Sequence, residues 1–284
     1  MFTLSIENHK GDIIQLSQNP SYSIISIEGL TPPNANINSA ENANFDGATY
    51  KSSRLNTRNI VITLAIEGNA EENRINLYKY VKVKRQCTVY FANGTRDVSI
   101  SGYVESMNCP LFDKKEIAQI SIVCMNPYFV NVVNELVEFS IVEALFEFPF
   151  SVEESGMAFS ELVVNKEMNI INPGDVSTGM IIEFQAIGTV ENPTIYNVGI
   201  NDSMKVNITM NDGDVIQINT NKGQKGVVLI SGGVQTNMIN DLELSGSSPW
   251  LQLESGDNVM LYTADINPQY LECFISYNDL YEGV

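Results

Sequence analysis

Short apolar runs, most of them alternating with polar residues, recur along the 284-residue chain with Gly, Asn, Asp and Pro between them. They fall at 24–27, 60–66, 88–91, 98–104, 117–124, 181–184, 205–210, 215–218, 227–230, 259–262 and 271–277. A period of two turns one face of an extended segment toward a core and the other toward water. Many such runs at short spacing predict β-sandwiches or barrels. Two turns stand out. Asn93-Gly94 separates TVYFA from TRDVSISGYV, and Asp212-Gly213 separates KVNITMN from DVIQIN. Both predict tight hairpins, because Gly and Asn accept the positive φ such turns need.

One segment breaks the alternation. Over 69–84, Ile75, Tyr78 and Val81/Lys82 recur at helical spacing, and Leu77 lies four residues before Val81. Asn69 is placed as an N-cap with Glu72 in capping-box position. Glu71 and Glu72 suit the positive end of the helix dipole, and Lys79, Lys82, Lys84 and Arg85 suit the other end. A single helix near 70–84, packed on a sheet, is expected.

Hydrophobic residues make up 44% of the chain, which rules out a disordered polymer. No apolar run reaches the roughly 18 residues of a membrane-spanning helix, and MFTLSIENHKGD lacks the features of a secretory signal. Neither secretion nor membrane insertion is expected. Charge is divided unevenly. Residues 1–125 carry 12 basic and 12 acidic groups; residues 126–284 carry 4 basic and 22 acidic, the whole of the net −18. All five arginines, Arg54, Arg58, Arg74, Arg85 and Arg96, lie in the first part. Such a division predicts two domains, with a boundary in the acidic, aromatic stretch of 130–150, where Phe146, Phe148 and Phe150 alternate like a half-buried strand. We place the domains at 1–135 and 136–284. No clustered positive charge of the kind a nucleic-acid grip requires is present.

Chemistry is poorly represented. The only histidine, His9, sits in the turn-like NHKGD, so sites built on two histidines are excluded. It has no nucleophile elbow or triad context around it. The cysteines Cys87, Cys109, Cys124 and Cys273 form no CxxC pair and read as reduced, mostly buried thiols. Asn211-Asp212-Gly213-Asp214 and Ser255-Gly256-Asp257-Asn258 look like fragments of oxygen-ligand loops. Neither continues into the full EF-hand spacing, and both read as β-turns. Ser231-Gly232-Gly233 lacks any phosphate-loop frame. No carboxylate pair is marked out for glycoside hydrolysis. Trp250, the only tryptophan, reads as a core anchor rather than a sugar platform. Arg54 and Arg58, four apart just before a strand, are candidates to bridge to a neighbouring subunit's carboxylates, against a plain solvated strand edge. Catalytic, cofactor and metal residues are not expected.

The order of segments adds more than any one of them. GLTPPNANIN, DGATYKSSRLNTRNIVITLAIEG, RINLYKYVK, VYFANGTRDVSISGYVES and QISIVCMNPYF are followed by FEFPF, NPGDVSTGMIIEF, ENPTIYN, GDVIQINTNKGQKGV, WLQLESGDNVMLY and YEGV. This series resembles the distal tail proteins of long-tailed bacteriophages, the siphovirus-type tail component family, over nearly the whole chain. The resemblance implies an N-terminal β-sandwich with one helix, similar to tail-tube proteins, that assembles into a hexameric ring. It implies a C-terminal galectin-like β-sandwich. It further implies a non-enzymatic hub at the virion tail tip, made in the bacterial host cytoplasm. Its partners would be the tail tube, the tape-measure protein, the tail-associated tip protein and receptor-binding proteins. The alternative is a carbohydrate-binding adhesion module built on the C-terminal sandwich. Residues 126–284 hold no histidine or arginine, side chains that galectin sites use beside their tryptophan, which weighs against sugar binding.

Overall fold

The computed structural model describes residues 2–41, 46–110, 116–143, 161–164, 167–245 and 250–284. The expected strand around Phe146, Phe148 and Phe150 lies outside them. In chain order the elements are β1 (Thr3–Asn8), β2 (Ile13–Gln15), β3 (Tyr22–Glu28), β4 (Ala35–Glu41), β5 (Ala48–Leu55), β6 (Arg58–Ile66), α1 (Ala70–Tyr80), β7 (Gln86–Ala92), β8 (Asp97–Asn108), β9 (Ile117–Cys124) and β10 (Phe129–Asn131). They continue with β11 (Glu135–Glu138), β12 (Ser140–Glu143), β13 (Glu161–Val164), β14 (Glu167–Asn172), β15 (Met180–Ala186), β16 (Val190–Asn197), β17 (Asp202–Val206), β18 (Thr209–Met210) and β19 (Val215–Asn219). The last are β20 (Gly226–Ser231), β21 (Val234–Asn237), β22 (Leu242–Ser245), β23 (Gly256–Ile266), β24 (Leu271–Tyr277) and β25 (Leu280–Tyr281). The protein is nearly all β with one α-helix among the described residues.

Two compact units result. Unit 1 holds Met1–Val132 together with Leu280–Val284, and unit 2 holds Val133–Asp279. Residues 280–284 therefore leave the 136–284 stretch assigned from charge and join the first unit. The physical reason is a strand pair. β25 lies antiparallel to β10, Phe129 opposite Tyr281 and Val130 opposite Leu280.

Unit 1 is an antiparallel sheet in the order β2-β1-β7-β8-β9-β6-β3, with β10 joined to β8 and to β25. Inward residues alternate along each strand: Leu4 and Ile6, then Ile60, Ile62 and Leu64, then Ile120, Ile122 and Cys124, all fully buried. Burying one such side chain stabilises by about 1.5–3 kcal/mol, which is what holds the register. The helix buries Leu77 and Arg74, with Val81 just beyond its end, while Ile75 and Tyr78 face outward. The core-facing residues are thus the Leu77 and Val81 pair, not Ile75 and Tyr78. Asn69 also departs from expectation. It makes no capping bond to the backbone, and its amide donates to Glu72 Oε2 at 2.9 Å.

Unit 2 packs two antiparallel sheets face to face. One runs β11-β24-β15-β19-β20-β21 and the other β14-β23-β16-β17-β22, with β18 beside β16. Ile182, Phe184, Ile216, Ile218 and Ile275 from the first meet Ile195, Met204, Met260 and Tyr262 from the second in one core. The Asn93-Gly94 turn joins paired β7 and β8, with Gly94 at φ +88°. The Asp212-Gly213 turn does not make a hairpin. β18 pairs with β16, whereas β19 pairs with β15 and β20, so the chain changes sheets there. The run 205–210 is interrupted at Asn207 and Ile208 but pairs with β16 on both sides of the break.

Candidate assembly surface

Between β3 and β6, which pair with each other, the chain leaves the main sheet and forms a two-stranded ribbon of its own from β4 and β5. Its register runs from Ala35 opposite Leu55 to Glu41 opposite Ala48, with one shift between Asn38 and Ser39. Side-chain bonds across it are local and polar, such as Asn38 Nδ2 donating to Ser52 Oγ at 3.0 Å. Almost every ribbon residue is exposed, including Ile37 at 63% and Tyr50 at 61%. An isolated two-stranded hairpin is marginal in water. Its two large exposed apolar side chains make the ribbon a candidate contact surface.

The edge strand β3 borders the same part of unit 1. It carries a bulge between Ile24 and Ser26, and Ile25 is 55% exposed. Beside it Phe2, Ile24, Ile27, Leu30 and Phe91 line a shallow apolar groove in which Phe2 stacks on Phe91 at 5.9 Å.

Arg54 stands on β5, exposed, opposite Asn36. It is available to a neighbour. Arg58 is not, which corrects its assignment as a bridge to another subunit. It opens β6 in the same inward parity as Ile60, Ile62 and Leu64, and is only 2% exposed. Its Nε donates to Pro127 O at 2.7 Å, and its Nη1 to Thr31 O at 2.7 Å and Gly29 O at 2.5 Å. Its Nη2 donates to Glu282 O at 2.5 Å, and its plane lies 4.5 Å from the ring centre of Phe129. Burial lowers its pKa from the ordinary guanidinium value. Four carbonyls from three chain segments converge on one cation, an arrangement that suits the planar fork of arginine. Arg96, which the sequence reading passed over, makes a second tie. It donates to Gly283 O and lies 4.2 Å above the ring of Tyr281.

The remaining candidates resolve as structure. His9 is exposed in the turn between β1 and β2. Cys87, Cys124 and Cys273 are buried free thiols and Cys109 is half-buried. Asp214 closes its turn by accepting from Asn211 N at 2.8 Å, and hydrogen bonds from Ser231 and Asn211 hold its carboxyl below the usual range. Asn258 is buried, its amide donating to Glu254 O and Gly256 O and its oxygen accepting from Glu254 N. Protein groups within and beside each loop take up these side chains, Asp257 accepting from Asn169 Nδ2 and Ser255 Oγ donating to Gly174 O. Among the described residues no group of three or more His, Cys, Asp or Glu side chains is placed to hold a metal ion. Trp250 packs partly buried against the unit 2 core, with Lys225 Nζ 5.5 Å from its ring centre.

Residues 173–281 match the siphovirus-type tail component, C-terminal domain family. The matched stretch falls almost wholly within unit 2. The whole chain is similar in fold to the SPP1 Dit (gp 19.1) protein, described as a paradigm of the hub adsorption apparatus in phages infecting Gram-positive bacteria. The TM-score is 0.68 at 12% identity over 99% of each chain. It is also similar to a chain of the phage P2 baseplate in its activated conformation, with Ca (TM-score 0.57, 9% identity) and with Sr (0.57, 10% identity), over 100% of both chains in each case. No curated protein sequence matches. The family domain and the Dit-like fold support the distal-tail resemblance read from the sequence.

Proposed function

We propose that the protein is the structural, non-enzymatic hub of a phage tail tip. Copies close into a sixfold ring through unit 1, connect the tail tube to the tip or baseplate, and carry receptor-binding components. The tape-measure and tail-associated tip proteins are its further neighbours, and its location is the virion tail tip. The observation that carries this reading is the β4–β5 ribbon, an exposed arm beside an exposed sheet edge on the same unit. An arm and an edge that cannot both be covered within one chain favour head-to-tail contact, which closes into a ring when the rotation allows. Unit 1 brings no net positive field to a DNA conduit, so a passing genome would not be retained.

Light scattering over a concentration series, with negative-stain images of the same fractions, tests the reading. The expected result is a ring with a central hole, lost in the Ile37→Asp/Tyr50→Asp double variant while its melting temperature stays within a degree or two of the unsubstituted protein. A chain that remains monomeric at every concentration, alone and mixed with tail-tube protein, overturns it.

A further inference from the structure

The ribbon is held at its base by residues of unit 1 that follow unit 2 in the chain. The exit from β3 passes through Gly29, Leu30, Thr31 and Pro32, and the return into β6 passes through Asn56, Thr57 and Arg58. A cleft of about 410 Å³ opens between the two legs, lined among others by Pro33, Asn34, Asn56 and Thr57. Among the described residues, one backbone bond outside the strand ladders joins the legs there, from Asn56 N to Asn34 O at 3.1 Å. The remaining ties run through Arg58, which binds Gly29 O and Thr31 O on one leg while itself belonging to the other, and reaches Glu282 O. Val284 N donates to Leu30 O at 3.1 Å. Gly283 lies so close to the same leg that an added Cβ would meet Pro32 Cδ at 3.0 Å and Leu30 O at 3.3 Å. Arg96, through Gly283 O and the Tyr281 ring, fixes the segment from its other side.

We propose that Arg58 is a positioning residue for the assembly surface, and that residues 282–284 are the bolt it closes on. With the bolt in place, both legs leave unit 1 at fixed angles and the ribbon is aimed. Without it, a buried guanidinium loses one of its four acceptors, the Leu30 carbonyl loses its donor, and the legs are free to splay. A buried cation short of a partner is among the costlier defects a fold can carry, so the base opens rather than keep it. The order of the chain gives this lock a consequence. Residues 282–284 are synthesised after every residue of unit 2, so the arm of a growing chain stays unaimed until unit 2 has been made. Rings would then not recruit chains lacking their second unit. This inference rests on the ribbon being the assembly surface, but the aiming itself does not.

Two variants of the full chain test it: a truncation after Tyr281, which keeps β25 paired to β10, and Arg58→Lys, whose ammonium cannot span four carbonyls. Amide hydrogen exchange is read at the ribbon base, at Asn56, whose amide is bonded to Asn34 O, and at β7–β9 as an internal standard. Ring formation is read by light scattering. In both variants the base should exchange at least tenfold faster while β7–β9 stay protected. The concentration for half-assembly should rise at least tenfold. Base amides as protected as in the unmodified protein, or protection lost equally across β7–β9, overturn the lock. Should the unmodified chain form no ring while its truncation still loosens the base, the ring reading fails and the lock stands.

Discussion

Residue parity along β6 decides what Arg58 does. Two arginines four apart look like neighbours on one surface, and that spacing suggests a shared role. Alternation separates them: Arg58 falls in step with Ile60, Ile62 and Leu64, whereas Arg54 belongs to a different strand that leaves the sheet. The parity was legible in the sequence. The acceptors were not, because four backbone carbonyls from distant segments leave no trace in side-chain pattern. The cysteines were easier, since three of the four sit at apolar positions of alternating runs and all three are buried thiols. Their burial makes a pH prediction. Desolvation pushes the Cys87 thiol up to about 12 and the Cys124 thiol up to about 11, from an ordinary 9.0. The unfolded chain therefore loses these protons first as pH rises, and the folded state is penalised. Their contribution is fully present below pH 9 and lost progressively toward pH 11–12. Thermal melts should show unit 1 losing stability between pH 9 and 11, with a shallower fall in Cys87→Ala/Cys124→Ala. Parallel slopes for the two proteins would refute the assignment.

Single elements were read with mixed success, and the errors share a cause. Strands with one buried face, such as β6, β9 and β24, were found because alternation reports burial. β4 and β5 were not identified, because a ribbon exposed on both faces has no apolar period to detect. The helix is legible from its spacing, and of the apolar residues that mark it Leu77 and Val81 are buried beside Arg74, whereas Ile75 and Tyr78 face outward. The Asp212-Gly213 turn was correct as a turn and wrong as a hairpin, since local turn chemistry does not say which sheet the next strand joins. At the ribbon base, Gly29 has φ +85°, and an added Cβ would lie 2.1 Å from Asn59 O. Gly94 has nearly the same φ, +88°, with nothing within 4 Å of an added Cβ. Gly94→Ala should therefore cost about 1 kcal/mol of backbone strain. Gly29→Ala must also displace backbone and should cost about 3 kcal/mol or more. Urea melts of the two variants measure the difference, and equal losses would mean the base tolerates movement.

For the molecule as a whole, the charge asymmetry announced two bodies but not how the chain threads them. Composition averages over residues, so five residues returning to unit 1 are invisible to it. The threading is simple: β10 and β25 are the two arms of an antiparallel hairpin, and unit 2 occupies the place of its turn. Replacing Val133–Asp279 by a short Asn-Gly turn should then leave unit 1 folded, with a cooperative melt and with Arg58 still engaged. The segment 1–132 alone, lacking β25 and the carbonyl of Glu282, should be markedly less stable than that shortened chain. Equal stability of the two would show that the returning residues contribute little. The same threading has a mechanical side. A body joined at one linker is lost when that linker is cut, whereas this one is moored twice. After a single break within 133–279 one fragment stays covalently joined to 1–132 and the other to 280–284, which strand pairing and two arginines hold in unit 1, and any pull on the intact body is divided between two strands, one seated against β8 and the other followed by carbonyls bound by Arg58 and Arg96.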